Sequence, residues 1–296
     1  MKTNLFIIVV IAGTISACTL EGVKADINQN SNDSIHNTID TLSPNLLSNT
    51  VEAVKPDTLI SGETNDMVWS NSQGLRIEWK QKQTKVAINQ GDAIFVNYEA
   101  RVARGEVYDS NTEIGRPVPL KLGMGQIVKG WETALLNMHI GDIGRIMIPS
   151  ALGYGEQGYL GKVPRHADII VEIEIVAKIE PIVLSEGVKV FKYFKGDTSL
   201  QTPIKNQNIT FDYFAFKKGK EPGMYDNSYK KGASFTVRFK NDNVVDGLHQ
   251  GLEVLRKGDK AFIDIPSNLA YHKKGLQDLV PPNTDIVFDV RIQEIK

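Results

Sequence analysis

Cysteine is almost absent. Cys18 is the only one, which excludes an intramolecular disulfide and any cysteine-rich zinc site. Charge imbalance is absent too. Lysine and arginine total 34 and aspartate and glutamate 35, a net charge of −1, so nothing argues for nucleic acid, which would need a concentrated basic face. One small basic run, Lys217, Lys218 and Lys220 around Gly219, reads as a solvated turn. The chain has five histidines: His36 lies in a polar stretch, and His139, His166, His249 and His272 stand singly. Neither HExxH nor HxH occurs, so no metal centre is expected, and no serine nucleophile elbow is present. Nor is there an apolar run of the ~20 residues that spanning a bilayer requires.

What is present is the composition of a globular protein, 41% apolar and 23% charged over 296 residues, enough for roughly two domains. The N-terminus has the pattern of a secretory leader. Lys2 supplies positive charge, "LFIIVVIA" (5–12) a short apolar core, and "ISAC" (15–18) small residues before the cysteine. "ISAC" resembles a bacterial lipobox. That resemblance implies a signal peptide over 1–17, cleavage before Cys18 and lipidation of Cys18. The alternative is an ordinary secretory signal with an incidental cysteine. Two or three acyl chains would anchor the protein firmly, where one binds only marginally. The expected location is extracytoplasmic and lipid-anchored, with the outer membrane favoured. Residues 18–70 are rich in Asn, Ser, Thr and Asp and read as a flexible spacer.

Strand-like alternation begins near "GLRIEWK" (74–80). It continues at 93–102, 117–123, 143–150 and 167–179. "WETALLNMH" (131–139) is the one good helix candidate among these strands. Many strands with one short helix predict an α+β fold with a bent antiparallel sheet.

The pattern then repeats. A shift of 117 residues places Asp109 on Asp226, Gly130 on Gly247, Leu135 on Leu252, and Gly141-Asp142 on Gly258-Asp259. The same shift lays "IPS" (148–150) on "IPS" (265–267), and Tyr154, Pro164 and Asp168 on Tyr271, Pro281 and Asp285. Upstream, "GLRIEW" answers "GVKVFKY" (187–193) at a slightly different offset. Two copies of one fold are expected, over 71–180 and 181–296.

The first copy's distinctive residues are large aromatics around one carboxylate: Tyr98, Tyr108-Asp109, Trp131 and Tyr154. The glycine-rich "LGMGQIVKGW" (122–131) lacks the Lys-Ser/Thr of a phosphate loop. Each aromatic also has a plain structural reading, as core or strand packing, and Asp109 could simply cap a turn.

Taken together, "VNY…VYDS…PVPLKLGMGQIVKGWETAL…MHIGDIGRIMIPSALGYG…GYLGKVPRHADIIVEIEIV" resembles a domain of the FKBP-type peptidyl-prolyl cis/trans isomerase family. "FDY…YDNSY…VVDGLHQGLEVLRKGDKAFIDIPSNLAY…VPPNTDIVFDV" resembles a divergent second one. The resemblance implies a curled antiparallel sheet wrapped around a short helix, with a pocket between them. Trp131 would be the floor. Tyr108, Val118, Ile127, Val128, Val163 and Val171 would line the walls, and Tyr98, Asp109 and Tyr154 would be the catalytic groups. In the second copy Tyr213, Tyr225, Asp226, Val244, Val245, Tyr271, Val280 and Phe288 look like a pocket set. There Leu248 replaces the floor tryptophan and His272 stands at the position of Gly155.

The implied activity is isomerisation of X-Pro bonds in extracytoplasmic proteins, without cofactor or metal. The implied partners are proline-containing clients and, through Cys18, a lipid membrane. Two other readings use the same residues. One is a non-catalytic chaperone or peptide-binding lipoprotein, and the other an adhesion or motility accessory whose fold is an inherited scaffold.

Overall fold

The computed structural model describes residues 67–296. The leader, Cys18 and nearly all of the spacer lie outside the described residues. The first domain comprises β1 (Val68–Ser70), β2 (Arg76–Gln81), β3 (Ala93–Val102), β4 (Val107–Ser110), β5 (Val118–Lys121), α1 (Lys129–Leu135), β6 (Ile143–Ile148) and β7 (Ile169–Ile179). The second comprises β8 (Ile182–Val183), β9 (Lys189–Phe194), β10 (Asn208–Lys217), β11 (Gly223–Asn227), β12 (Phe235–Arg238), α2 (Asp246–Glu253), β13 (Lys260–Ile265) and β14 (Ile286–Ile295). The fold is α+β: two antiparallel sheets, each curled around one short helix.

The first sheet runs β1-β2-β6-β7-β3-β4, with β5 also on β3. The second repeats it as β8-β9-β13-β14-β10-β11, with β12 also on β10. The long strand β3 makes the curl possible. Its inner half, Ala93–Val96, pairs with β5, and its outer half, Glu99–Arg101, pairs with β4. Register shifts at Phe95/Val96 and Ala100/Arg101 bend it, as bulges do. In β10 the shifts fall at Thr210/Phe211 and Ala215/Phe216.

Order starts before the alternation at 74–80: Val68–Ser70, in residues read as spacer, pairs with Arg76–Glu78. The helix is also displaced from its expected span of 131–139. It covers Lys129–Leu135, seven residues, and is too short to persist alone. The chain leaves it because the backbone of His139 is engaged elsewhere, in a bridge to Ala87 and a bond from its N–H to Asp142 Oδ2 at 2.9 Å.

Two repeated features now have physical reasons. Asp142 is fully buried and accepts from Trp79 Nε1 at 2.8 Å, from Gln83 N at 2.6 Å and from His139 N, stapling the turn before β6 to β2. Asp259 does the same, accepting from Gly196 N, Arg256 N and Lys192 Nζ. Gly130 and Gly247 let each helix lie against its sheet. A Cβ there would meet Ile148 Cγ2 at 2.4 Å or Ile265 Cγ2 at 2.3 Å.

Each domain has its own apolar core, and a third cluster joins them. Ala93, Met124 and Ile179 of the first domain pack there with Phe191, Tyr193, Phe216, Phe262 and Val287 of the second. At its edge Lys121 Nζ lies 3.1 Å from Asp264 Oδ2 and 4.3 Å from the Phe191 ring centre. Lys218, expected in a solvated turn, instead reaches Asp264 Oδ1 at 3.2 Å. The fold brings that carboxylate to it from 46 residues away.

Candidate functional site

β3 and β4 present the first polar pair. Tyr98 and Asp109 project from neighbouring strands, and the Tyr98 hydroxyl donates to Asp109 Oδ2 at 3.0 Å. The backbone behind them is pinned by Asn111, whose Oδ1 accepts from Tyr98 N at 2.7 Å while its amide donates to Asn97 and to Arg116 O. α1 then sets Trp131 edge-on to Tyr98, ring centres 5.2 Å apart. Beyond the short turn after β6, Tyr154 packs edge-on to Tyr108 at 5.8 Å and stacks on Tyr159 at 4.9 Å. Val118, Ile127, Val128, Val163 and Val171 belong to the same apolar cluster. The residues expected at the first site are therefore brought together. Val171 has no accessible surface, so it backs the wall from behind.

This surrounding is dry, and the titration behaviour follows. Burial raises the Asp109 carboxyl above its ordinary range, against the opposing effects of the Tyr98 hydroxyl and Lys162. Burial also pushes Tyr108 up to about 12, and lifts Tyr98 and Tyr154 well above the ordinary phenol value. The tyrosines stay protonated donors across the physiological range. The Tyr108 and Tyr154 hydroxyls are buried facing each other, while Trp131 Nε1 is buried without a hydrogen-bond partner. Buried donors are normally satisfied, so such a group is a reason to look for a ligand acceptor.

The second domain repeats the arrangement with different dimensions. The Tyr213 hydroxyl donates to Asp226 Oδ2 at 2.6 Å, and the Tyr225 and Tyr271 hydroxyls lie 3.3 Å apart. Together with Val244, Val245, Leu248 and Phe288 they line a cavity of about 510 Å³. Val280 is fully buried beside it and offers no surface to it. Leu248 forms part of the cavity lining at the position that Trp131 holds in the first domain. His272, which also lines the cavity, keeps the left-handed conformation of Gly155, φ 55° against 57°.

Several lining residues escaped the sequence reading. Tyr159 was one. Phe235 was another, although the 117-residue shift places it on Val118. Phe211, Asn243 and Asp246 carried no such signal. Asn111 and Ser228, 117 residues apart, line neither site but brace Tyr98 N and Tyr213 N from behind, at 2.7 Å and 3.1 Å, and were missed as well.

Among the described residues no group of His, Cys, Asp and Glu could hold a metal ion, and no helix is long and apolar enough to cross a membrane.

A model of the FKBP-type peptidyl-prolyl cis-trans isomerase family matches residues 84–176 and 200–293. Human peptidyl-prolyl cis-trans isomerase FKBP9 is 26% identical over 205 residues, 69% of this chain and 35% of that protein. Peptidyl-prolyl cis-trans isomerase FKBP15-2 of Arabidopsis thaliana is 40% identical over 103 residues, 35% of this chain and 63% of that one. The chain thus spans about a third of the length of the human relative that it matches. The crystal structure of the three FKBP domains of wheat FKBP73 is similar at 17% identity over 76% of this chain and 96% of that one, with a TM-score of 0.38.

Proposed function

The chain belongs to the FKBP-type peptidyl-prolyl cis-trans isomerase family, and from that premise we propose that its first domain isomerises X-Pro bonds in client proteins. The observation that carries this reading is the Tyr98–Asp109 pair set against Trp131 in a dry aromatic surround, with the Tyr108 and Tyr154 hydroxyls facing each other beside it. An X-Pro bond prefers trans by only ~0.5–1 kcal/mol, yet amide resonance raises a barrier of ~18–20 kcal/mol. A proline ring is compact and apolar, and aromatic walls bury it well. A pocket that binds the twisted amide better than either planar form lowers the barrier without a covalent step. Tyr154 would donate to a substrate carbonyl. The Asp109 carboxylate, oriented by Tyr98, would face the rotating carbonyl group.

The test is turnover of short X-Pro peptides by the whole chain and by Asp109→Ala and Trp131→Ala variants. Each substitution is expected to lower kcat/KM by at least about tenfold, equivalent to roughly 1.4 kcal/mol of transition-state stabilisation. Leu248→Ala should change it little. Activity that followed Leu248 instead would reverse the assignment of the domains.

The second domain supports a different use of the same architecture. Its wide cavity over Leu248, with Asp226, Asp246 and His272 around it, suits holding a proline-containing segment. We read it as a client-binding module beside the catalytic one. The N-terminal "ISAC" supports export and lipid attachment at Cys18 to a bacterial membrane, the outer one favoured, which would place the clients outside the cytoplasm. Incorporation of labelled fatty acid, abolished by Cys18→Ala, would test that.

A further inference from the structure

One part of the wall of the first pocket is a continuous segment, Val118–Val128. Its ends, Val118 and Ile127-Val128, belong to the candidate pocket. Its middle faces the second domain. Lys121, with its side chain fully buried, reaches Asp264 of β13 and also donates to Gly91 O. Met124 has no accessible surface and sits in the apolar cluster shared by the two domains. Gly125, at φ 67°, lies so close to the β10–β11 turn that a Cβ would meet Pro222 O at 2.8 Å and Gly223 N at 3.3 Å. On the near side β5 pairs with β3, Leu122 N donates to Asp92 O at 2.9 Å, and Glu132 of α1 accepts from Gly123 N, so Met124 and Gly125 are the part of the segment left to the second domain.

The second copy supplies an internal comparison. The same shift places Arg238, Asn241 and Asp242 on Lys121, Met124 and Gly125, and all three are exposed. The apolar and glycine choices in the first copy therefore go with the presence of a neighbour. They are not a requirement of the fold.

We propose that the second domain is the backing of the first domain's pocket: Lys121, Met124 and Gly125 are positioning residues that hold the wall Val118–Val128 against Asp264, the shared apolar cluster and the Pro222-Gly223 backbone. This rests on the reading of the first pocket as the X-Pro site. Wall residues touch a bound peptide in the planar and twisted states alike, so displacing them removes uniform binding, which appears in KM before kcat.

The experiment uses the full chain and steady-state turnover of X-Pro peptides, with thermal melts in parallel. Gly125→Ala overfills the seam, and Met124→Ala empties it, so the test does not depend on either alone. Gly115→Ala is the matched control: Gly115 has nearly the same φ, 65°, and a Cβ added there would have nothing within 4 Å. Met124→Leu, which conserves volume, is the rescue. Gly125→Ala and Met124→Ala should raise KM by about fivefold or more with kcat within about twofold. Gly115→Ala and Met124→Leu should stay near the parent. Unchanged KM in both seam variants, with parent turnover that Trp131→Ala abolishes, would overturn the inference alone. Parent turnover that is absent, or insensitive to Trp131→Ala, would overturn the pocket reading and this inference with it.

Discussion

Adding one carbon at Gly130 separates positioning from stability. A Cβ there would lie 2.4 Å from Ile148 Cγ2, 3.0 Å from Leu152 Cβ and 3.1 Å from Leu152 O. Ordinary contact needs at least 3.4 Å, so the helix must retreat from β6 by about 1 Å. Overpacking of this kind costs ~1–3 kcal/mol, and the better helix propensity of alanine returns ~1 kcal/mol. Gly130→Ala should therefore lose only about 0–2 kcal/mol of stability. Its effect on turnover should be much larger. Trp131 is the next residue, and a ~1 Å misplacement of a positioned group can cost on the order of 100-fold in rate. Gly247→Ala is the internal control, because its Cβ would meet Ile265 Cγ2 at 2.3 Å in the same geometry. The assay is kcat/KM on an X-Pro peptide, with urea unfolding of each variant. Gly130→Ala should be strongly impaired and Gly247→Ala close to the parent, at similar small losses of stability. Equal impairment of the two, or full activity in Gly130→Ala, would refute the reasoning.

Three further outcomes are expected. Tyr98→Phe removes the hydroxyl that favours the ionised form of Asp109, so its carboxyl, already raised by burial, should rise further; the acid limb of the pH–kcat/KM profile should then move to higher pH, and an unmoved limb would exclude Asp109 as the titrating group. Asp289 is buried beside Tyr193, Arg291 and Lys260, and its carboxyl is pushed up to about 6, chiefly by burial. The native state thus binds a proton that the unfolded chain, near 3.9, releases, so this group favours folding below pH ~4 and loses that contribution as pH rises through ~6. Asp289→Asn should stabilise the second domain by up to about 3 kcal/mol at pH 7.5 and by little at pH 4, as urea unfolding at the two pH values would show. Asp142→Ala strands one buried donor, on Trp79, and two part-buried ones, on Gln83 and His139, and should cost about 2–4 kcal/mol in the same assay, with Asp142→Asn milder.

Much of this architecture was legible in the sequence, for identifiable reasons. Alternation gave β3 at its observed bounds, because a strand buried on one face must alternate. The 117-residue shift found Asp142 and Asp259 because a buried carboxylate with three donors is hard to replace. Trp131 and the tyrosines were recognisable as a set because their spacing is held along the chain. The helix bounds were less legible, since the reach of α1 depends on where His139 finds its backbone partner. The size of the second domain's cavity was also hidden. It depends on how fully side chains such as Trp131 and Leu248 fill space between sheet and helix, which residue identity alone does not give.

The seam between the domains was invisible for a different reason, and it bears most on function. Lys121 reads in sequence as an ordinary polar position in "PLKLG", yet its side chain is fully buried. Such a lysine is tolerable only if a carboxylate and other acceptors meet it, because an unpaired buried charge costs several kcal/mol. Its carboxylate lies 143 residues away, on the other copy. Burial pulls the Lys121 pKa down, and Asp264 opposes that pull. A pair of this kind adds little net stability compared with apolar residues of similar volume, but removing one partner is costly. It therefore discriminates against a shifted docking of the domains more than it strengthens the correct one. A tandem repeat joined by a loose linker has no need of such a device. One in which the second copy supports the first copy's pocket wall does, and that is the argument for treating the two domains as one functional unit.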